Sequence, residues 1–457
     1  MPELLLGIDI GTTMTKAAVV SAEGKELSWG RARTPWREVP TGAEADPGDI
    51  FDAVLKAVAD ALDAAPVGQV AGAGVTSMAE TVVLLGADGR ALWPCIAWHD
   101  TRGQDEATEL ASVFGAQELV RRTGLSPSPM PTLVKLAWLD RHNGPKPLRA
   151  LSMADWVVYR LGGDQAAEAS LACRTGALCL ATRSWWGEAL EWAGADASLF
   201  PPVVQAGTRA GRFSPGGRQR NLNGGPGGLE KLVGAALTSA GHDHLCAAVG
   251  AGAIRAEQVL DSCGTAEALV RTVAPLAEDD LSRAVATGLE TSWHTVPGHQ
   301  ALVSGHALGL VLERVLALVG AAGPEAVSAL DAAAAKVSPS GLQVVLDSPY
   351  GGPSIAGLGP GASPAALWSA ALDAVAAWAA RTVPAMEAIA GPAAELVLSG
   401  GWARSDGLRL RKSKLLPRVR WPKVTEAGAR GAALFGGMAA GLFGEPADFP
   451  RPPERLL

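Results

Sequence analysis

The chain has 457 residues, of which 48% are apolar and 19% are charged, with a formal net charge of −7. This length exceeds one ordinary hydrophobic core, so two or more domains are expected, and the apolar content argues against a disordered chain. The negative charge argues against a nucleic-acid partner, which would select a basic surface.

No stretch approaches the roughly 18 consecutive apolar residues of a membrane-spanning helix, and we see no signal peptide. The five cysteines are odd in number and scattered without a C-x-x-C pair. This pattern is typical of reduced thiols and not of a disulfide framework or a zinc site. We therefore expect a cytoplasmic protein without membrane contact; the sequence does not define the oligomeric state, and a homodimer is left open.

In the first half, short apolar runs alternate with helical patterns. Strands are expected at Leu4–Ile10, Lys16–Ser21, Val70–Thr76 and Thr81–Leu85, and helices at Pro47–Ala64, Asp105–Thr123, Lys135–Arg141 and Asp155–Leu161. Residues 207–230 are rich in Gly, Pro and Arg, which predicts an exposed loop.

The second half repeats this mixture of strands and crossover helices. The expected elements are a strand–turn–strand unit at Val259–Val270, helices at Ser304–Val319, Pro324–Val337, Pro364–Ile389 and Gly428–Gly441, a loop at Gly351–Pro364 and a strand at Glu395–Ser399. An α/β pattern repeated once predicts two related lobes. We place the domain boundary near residue 253, which gives an N-terminal lobe of residues 1–253 and a C-terminal lobe of residues 254–457.

Each half contains a glycine–threonine turn between two apolar runs. The first turn is Gly11-Thr12-Thr13, and the second, about 250 residues later, is Gly264-Thr265. Such turns offer backbone N–H groups and hydroxyls to an anion, and glycine allows a phosphate oxygen to approach closely. One copy alone is equally well explained as ordinary hairpin chemistry. Two copies, one per half, favour a nucleotide polyphosphate held between the lobes.

Asp243 lies in the short segment Gly241–His244, before a run of small apolar residues. This position suits a carboxylate presented at a cleft; the alternative is an aspartate that caps a helix beginning at His244. Sequence alternation would direct His242 and His244 to the face opposite Asp243. Without further ligands nearby, two histidines make a poor zinc site, so we expect them to form local hydrogen bonds.

Six segments, in the same order, resemble motifs of the FGGY family of carbohydrate kinases. They are two phosphate motifs at Gly7–Thr13 and Asp261–Thr265, first-lobe segments at Trp98–Arg102 and Met130–His142, the catalytic-aspartate loop at Gly241–His244, and an adenosine motif at Leu396–Gly401. The resemblance covers essentially the whole chain. It implies an α/β fold of two ribonuclease H-like lobes, of the actin and hexokinase type, with ATP bound between them. The segment after the adenosine motif, residues 404–417, departs from the family because it is unusually basic.

The resemblance implies ATP- and Mg²⁺-dependent phosphorylation of a sugar or polyol, with Asp243 as general base. A carboxylate is needed there to accept the proton of the attacking hydroxyl. Asp9, together with Asp243, is expected to hold Mg²⁺, which takes one or two carboxylates and keeps several waters. Asp261 is expected to have a structural role at its strand end.

The same resemblance assigns the ATP contacts to the two lobes. Thr12 and Thr13, with Gly11, are expected to bind the transferred phosphoryl end of ATP. Gly264 and Thr265 are expected to bind the remaining phosphates from the opposite lobe. The final contact, with adenosine, is assigned to the glycine pair Gly400 and Gly401.

The sugar site is expected in the first lobe, at Met78, Ala79, Glu80, Trp98 and Met130. Glycerol kinases carry an Arg-Glu-Thr triplet where this chain has Ala79-Glu80-Thr81. The glutamate, which can accept two hydroxyl hydrogen bonds, is therefore retained and the arginine is lost. We expect Trp98 to offer an apolar wall to C–H faces, and the substrate to be a ketose or alditol larger than glycerol.

Two other classes of function remain open at this point. One is a non-kinase ATPase switch of the same two-lobed fold, and the other is a catalytically silent sugar-binding regulator. The Gly-His-Asp-His loop and the segments between Trp98 and Trp138 favour a kinase over a switch. A silent regulator would be expected to lose Asp243 or one Gly-Thr turn, and both turns are present.

Overall fold

The computed structural model describes residues 3–215, 228–337, 341–346, 353–360 and 362–455. The elements of the first half are the strands β1 (Leu4–Ile10), β2 (Met14–Ser21), β3 (Glu26–Arg33), β4 (Arg37–Val39), β5 (Gly42–Ala45), β6 (Val70–Ser77), β7 (Val82–Leu85), β8 (Cys95–Ile96), β9 (Arg149–Ser152), β10 (Ala167–Glu168), β11 (Val203–Val204), β12 (Gly211–Arg212) and β13 (Ala236–His242), and the helices α1 (Pro47–Asp63), α2 (Gln104–Phe114), α3 (Ala116–Thr123), α4 (Thr132–Arg141), α5 (Met153–Arg160), α6 (Ala169–Arg174), α7 (Gly187–Trp192) and α8 (Asp243–Ala251).

The elements of the second half follow the same alternation. They are the strands β14 (Gln258–Cys263), β15 (Glu267–Val273), β16 (Glu290–Trp293), β17 (Gln300–His306), β18 (Gln343–Leu346), β19 (Pro353–Ala356), β20 (Glu395–Ser399) and β21 (Arg418–Arg420), and the helices α9 (Glu278–Ala286), α10 (Leu308–Leu318), α11 (Gly323–Ala334), α12 (Pro364–Ala390), α13 (Asp406–Lys412) and α14 (Ala427–Ala440). Among the described residues, no helix combines the length and the apolar character needed to cross a membrane.

Two of the predicted helices were wrong in part. The helix expected at Asp105–Thr123 is two helices, because Gly115 takes a positive φ of 85° between them. The helix expected from Ser304 begins only at Leu308, since the preceding residues through His306 extend β17 and pair with β15. Sheet pairing therefore overrides the local pattern there. The loops predicted at 207–230 and 351–364 contain β12 and β19, and residues 216–227, 351, 352 and 361 of them lie outside the described part.

The two halves build sheets of the same design. The first sheet has the order β12-β13-β6-β1-β2-β3, in which β13, β6 and β1 are parallel and β2 and β3 continue antiparallel. The second has the order β16-β17-β15-β14-β20-β21, in which β14, β20 and β21 are parallel and β15 and β17 continue antiparallel. The predicted repeat of one α/β unit is confirmed.

Each sheet is covered by a helix that the chain order would give to the other half. Helix α14 lies directly on the first sheet: a Cβ atom built on Gly7 would lie 1.7 Å from the carbonyl oxygen of Ala429, and one on Gly74 2.0 Å from that of Ala432. Helix α8 shares an apolar cluster with the second sheet, including Leu260 and Val270. The small residues along α14 are therefore needed for this close approach.

The parallel strands bring the predicted motifs to one edge of each sheet. Asp9, Thr76 and Gly241 are neighbours across β1, β6 and β13, and the chain leaves all three strands at the same edge. In the second sheet, Ser262 and Ser399 are partners at the ends of β14 and β20. The carboxyl edges of parallel strands are where open α/β sheets place their ligands.

Candidate active site

The first Gly-Thr turn joins β1 to β2 and is held from two sides by indole rings. The N–H of Gly11 donates to the carbonyl of Met14 at 3.2 Å, which closes the turn. Trp36 Nε1 donates to the carbonyl oxygen of Thr12 and Trp98 Nε1 to its Oγ1, both at 2.8 Å. Thr13 is exposed. The two indole bonds thus fix the turn at Thr12, while the next residue, Thr13, is open to solvent.

Asp9 lies buried at the end of β1, just before this turn. Burial is the main cause that raises its pKa to about 7; the ammonium of Lys16 opposes the rise, and the charges of Asp243 and Glu426 add to it. Its Oδ1 is buried and has no hydrogen-bond partner among the described residues. A Cβ on Gly428, at the start of α14, would lie 2.5 Å from Asp9 Oδ2, so only glycine leaves this carboxylate its place.

Asp243 is the first residue of α8 and remains partly exposed, with 21% of its side chain accessible. Its Oδ1 accepts a hydrogen bond from the backbone N–H of His244 at 2.7 Å and lies 3.3 Å from His242 Nε2. The expectation that both histidines point away from Asp243 was wrong, because the three side chains offer ligand atoms within 4.8 Å of one another. The strand ends at His242 and the helix starts at the next residue, so sequence alternation stops there.

Glu80 is already paired with a cation that the sequence analysis did not identify. Arg174, from α6, donates to Glu80 Oε1 through Nε at 2.5 Å and to Glu290 Oε2 through Nη1 at 2.6 Å. Burial raises the pKa of Glu80, and the charge of Arg174 opposes that rise. Glu80 also takes a positive φ of 60°, which is unusual for a residue with a side chain. A guanidinium therefore stands beside Glu80 although position 79 is an alanine.

The segment that carries Trp98 is held by a buried lysine. Lys135 Nζ donates to the carbonyl oxygens of Ala97 at 2.8 Å and Trp98 at 3.1 Å, and burial lowers the pKa of this lysine to about 8. Asp100 binds Arg102 through two hydrogen bonds of 3.0 and 2.8 Å, so this pair is structural.

The remaining predicted sugar-site residues differ in exposure. Met78 and Ala79 are almost fully buried at the end of β6, and Met130 is half-buried just before α4. The N–H of Met78 donates to the carbonyl of Ile10 at 2.9 Å, and the hydroxyl of Thr132 donates to the carbonyl of Glu80 at 3.0 Å. These bonds join the residues of the predicted sugar site to the end of β1, next to the first Gly-Thr turn, and to α4.

The second Gly-Thr turn and the glycine pair lie side by side in the second sheet. Gly400 has a φ of 89°, and a Cβ there would lie 2.4 Å from the carbonyl oxygen of Cys263. Gly401 is exposed, and a Cβ there would meet no atom within 4 Å. Thr265 is exposed as well. Gly400 therefore has a packing role, while Gly401 and Thr265 present accessible groups.

A buried charge cluster lies directly behind this second turn. Lys412 Nζ, at the end of α13, donates to Asp261 Oδ2 at 2.6 Å and to Glu267 Oε1 at 2.5 Å. All three side chains are inaccessible or nearly so. Burial and the charge of Asp261 raise the pKa of Glu267. The structural role predicted for Asp261 is thus borne out by its contacts, and the basic segment after Gly401 supplies its partner.

Sequence reasoning missed Arg174, Glu290 and Lys412 because none of them belongs to a short motif. For Lys412, the sequence offered one signal, the basic character of residues 404–417. That signal did not indicate which acidic residues Lys412 would bind. Nothing in the sequence around Arg174 or Glu290 indicates their pairing.

A buried acid next to the loop that carries Asp243 is expected to make stability depend on pH. Burial raises the pKa of Glu168 to about 8, while its Oε2 accepts hydrogen bonds from the N–H groups of Ser170 and Leu171. The folded state holds this proton more tightly than the unfolded chain. We expect the free energy of unfolding to fall as pH rises from about 4.5 to about 8, by up to about 1.4 kcal/mol per pH unit for this group.

The variant Glu168→Gln is uncharged over this range and should flatten the dependence. Denaturant unfolding of wild type and variant between these pH values measures it. Glu188→Gln, at an exposed position on α7, is the control and should leave the slope unchanged. An equal slope in wild type and Glu168→Gln would contradict the prediction.

The chain belongs to the FGGY family of carbohydrate kinases, since its residues 4–250 match the N-terminal domain of that family. Among curated relatives, the autoinducer-2 kinase of Escherichia coli is 28% identical over 308 residues, which cover 64% of this chain and 55% of that kinase. The chain thus matches about half the length of these curated relatives.

Solved structures resemble the chain over almost its whole length. A xylulose kinase from Rhodospirillum rubrum has a TM-score of 0.81 at 24% identity and covers 99% of this chain and 94% of its own. A gluconate kinase from Lactobacillus acidophilus has a TM-score of 0.83 at 19% identity, with coverages of 98% and 92%. The predicted fold, two ribonuclease H-like lobes of the actin and hexokinase type, is confirmed.

Proposed function

We propose that this chain uses ATP to phosphorylate a hydroxyl group of a small sugar or polyol, with Asp243 as general base. The observation that carries the proposal is the grouping of Asp9, the Gly11–Thr13 turn and Asp243 at one sheet edge, with Asp243 partly exposed. A transferred phosphoryl group needs positioning, charge neutralisation and a proton acceptor for the attacking alcohol. This edge offers a group for each need.

The residues present fit a Mg²⁺ ion at Asp9. The unpartnered, buried Oδ1 of Asp9 is an oxygen ligand of the kind Mg²⁺ prefers, and Asp243 contributes a second carboxylate close enough to raise the pKa of Asp9. When bound, Mg²⁺ would neutralise the charge of the phosphate oxygens. The ammonium of Lys16, which forms an ion pair with Glu426 at 3.1 Å, also favours the charged form of Asp9.

The ATP phosphates would be bound by the two Gly-Thr turns. Thr12 and Thr13 would contact the transferred end, and Gly264 and Thr265 the remaining phosphates. The exposed backbone at Gly401 suits an adenosine contact, whereas Gly400 would act by holding the strand end against Cys263. This arrangement assigns one end of ATP to each half of the chain.

The organisation of the chain and its surroundings complete the proposal. We place the boundary between the lobes near residue 253, between α8 and β14, although α8 and α14 each pack on the other half's sheet. The five cysteines are unpaired thiols, as expected of a cytoplasmic enzyme.

A screen for ADP release tests the proposed reaction. Polyols and ketoses of three to seven carbons would each be supplied with ATP and Mg²⁺, and ADP formation would be compared with a sugar-free control. Sugar-dependent release is the expected result. Release of ADP at the same rate without any sugar would instead favour an ATPase.

We expect glycerol to be a poor substrate and a larger ketose or alditol to be preferred. Replacing Glu80 with alanine removes an acceptor for substrate hydroxyls and leaves the guanidinium of Arg174 with one partner fewer. We expect Glu80→Ala to lower kcat/KM for the best substrate by more than about tenfold, the value of one charged hydrogen bond.

Glu290→Gln is the matched control, because it weakens the same arginine from β16 without touching Glu80. A much smaller loss in Glu290→Gln than in Glu80→Ala would support direct contact of Glu80 with the substrate. Equal losses, or glycerol as the best substrate of the screen, would contradict it.

A further inference from the structure

Two indole donors meet at one residue of the first phosphate turn, and they bind different oxygens of it. Trp36 Nε1 binds the backbone carbonyl of Thr12, whereas Trp98 Nε1 binds its side-chain hydroxyl, each at 2.8 Å. An indole N–H can only donate. The Thr12 hydroxyl is therefore the acceptor in its bond with Trp98.

This bond fixes what the hydroxyl can do with its own hydrogen. A hydroxyl has one hydrogen to donate, and among the described residues the Thr12 hydroxyl donates no hydrogen bond. One lone pair is taken by Trp98, so the hydrogen must point elsewhere. A phosphate oxygen placed against the turn is an acceptor with no hydrogen of its own to offer.

Trp98 is placed rigidly enough to impose this direction. Lys135 Nζ donates to the backbone carbonyl oxygens of Ala97 and Trp98. The segment that follows is held by the hydrogen bonds of the buried Asp100–Arg102 pair. Arg102 in turn binds Glu44 at 2.5 Å. The backbone at Trp98 is therefore fixed, which limits the directions that its indole N–H can take.

We propose that Trp98 is a positioning residue for phosphoryl transfer, whose indole N–H orients the Thr12 hydroxyl as a donor to the terminal phosphoryl group of ATP. This inference rests on the proposed kinase function. Trp98 would then have two roles. The face of its ring would contact the sugar, as expected above, and the N–H at its edge would bind Thr12 in the first Gly-Thr turn. The two substrates would thereby be coupled through one side chain.

A double-mutant cycle tests the proposal. Trp98→Phe keeps the ring but removes the donor, and Thr12→Val keeps the shape but removes the hydroxyl. We expect each to lower kcat by roughly three- to tenfold, the effect of one neutral hydrogen bond, with little change in KM for the sugar. Because both variants remove the same interaction, the double variant should be no worse than Thr12→Val alone.

Trp36→Phe provides the matched control. It removes the donor to the Thr12 carbonyl, which valine retains, so the losses of Trp36→Phe and Thr12→Val should multiply. The proposal would be overturned if the losses of Trp98→Phe and Thr12→Val multiplied in the double variant. It would also be overturned if the main effect of Trp98→Phe were a higher KM for the sugar, and Trp98 would then act only as an apolar wall of the sugar site.

Calorimetry of nucleotide binding separates this inference from the proposed function. The same cycle is measured with Mg²⁺ and a non-hydrolysable ATP analogue, and again with ADP, in the absence of sugar. We expect non-additive losses with the ATP analogue and no loss with ADP, since ADP lacks the terminal phosphoryl group. Equal losses for both nucleotides would overturn the inference even in an active kinase. If the screen finds no sugar-dependent ADP release but this pattern is present, only the proposed reaction fails.

Discussion

The variant Asp243→Asn is expected to lose about 10²–10⁴-fold in kcat while it still binds ATP. Asparagine keeps the shape of the side chain and can still accept the 2.7 Å hydrogen bond from the N–H of His244, but it cannot take up the proton of the attacking hydroxyl. The two Gly-Thr turns that we propose to bind the phosphates are unchanged. Steady-state kinetics with the best substrate of the screen, together with calorimetry of ATP binding, measure the two quantities.

Asp196→Asn is a control of the same chemical kind. Asp196 also accepts a hydrogen bond from a backbone N–H at the start of a short helical turn, that of Ser198 at 2.7 Å, but it has no part in the proposed site. Its replacement should leave kcat unchanged. Turnover close to the wild-type rate in Asp243→Asn would remove Asp243 from the role of general base.

The largest expected effect on stability follows from replacing Lys412 with methionine. This change leaves Asp261 and Glu267 buried without a cation, and breaking a buried ion pair in this way costs about 3–5 kcal/mol. Denaturant unfolding should show the loss. Because the cluster lies behind the turn that contains Gly264 and Thr265, ATP affinity should fall with it.

A neutral version of the cluster is the matched control. The triple variant Asp261→Asn, Glu267→Gln and Lys412→Met removes all three charges at similar volume, and replacing buried ion pairs by uncharged groups is often tolerated. We expect it to recover much of the lost stability. A loss below about 1 kcal/mol in Lys412→Met alone would show that the cluster does not hold the second turn.

The sequence predicted those parts of the candidate site that consist of a few adjacent residues. The first turn needs only Gly11, Thr12 and Thr13 in order, and their position between two apolar runs defined both the flanking strands and the turn. Asp243 also stands in a short segment, but its proposed role as general base comes from the resemblance to the family. The error at His242 and His244 has a local cause as well, because one residue decides where a strand becomes a helix.

The remaining parts depend on partners that are distant along the chain. Arg174 is separated by 94 residues from Glu80 and by 116 from Glu290, and Lys412 lies 151 residues from Asp261. No periodicity or composition relates such positions in a single sequence. The strand at Ser304 was misread for the same reason, since its pairing with Leu269 in β15, and not its own residues, decides its conformation.

The exchange of α8 and α14 between the sheets means that the two halves are not interchangeable modules. A fragment ending near residue 253 would lack α14 and leave bare the apolar face formed by Leu5, Ala18 and Val20, which Ala429 and Ala433 cover in the intact chain. Such a fragment would aggregate unless its complement were produced alongside it. Recombination of the two halves would therefore have to carry α14 along with the first sheet.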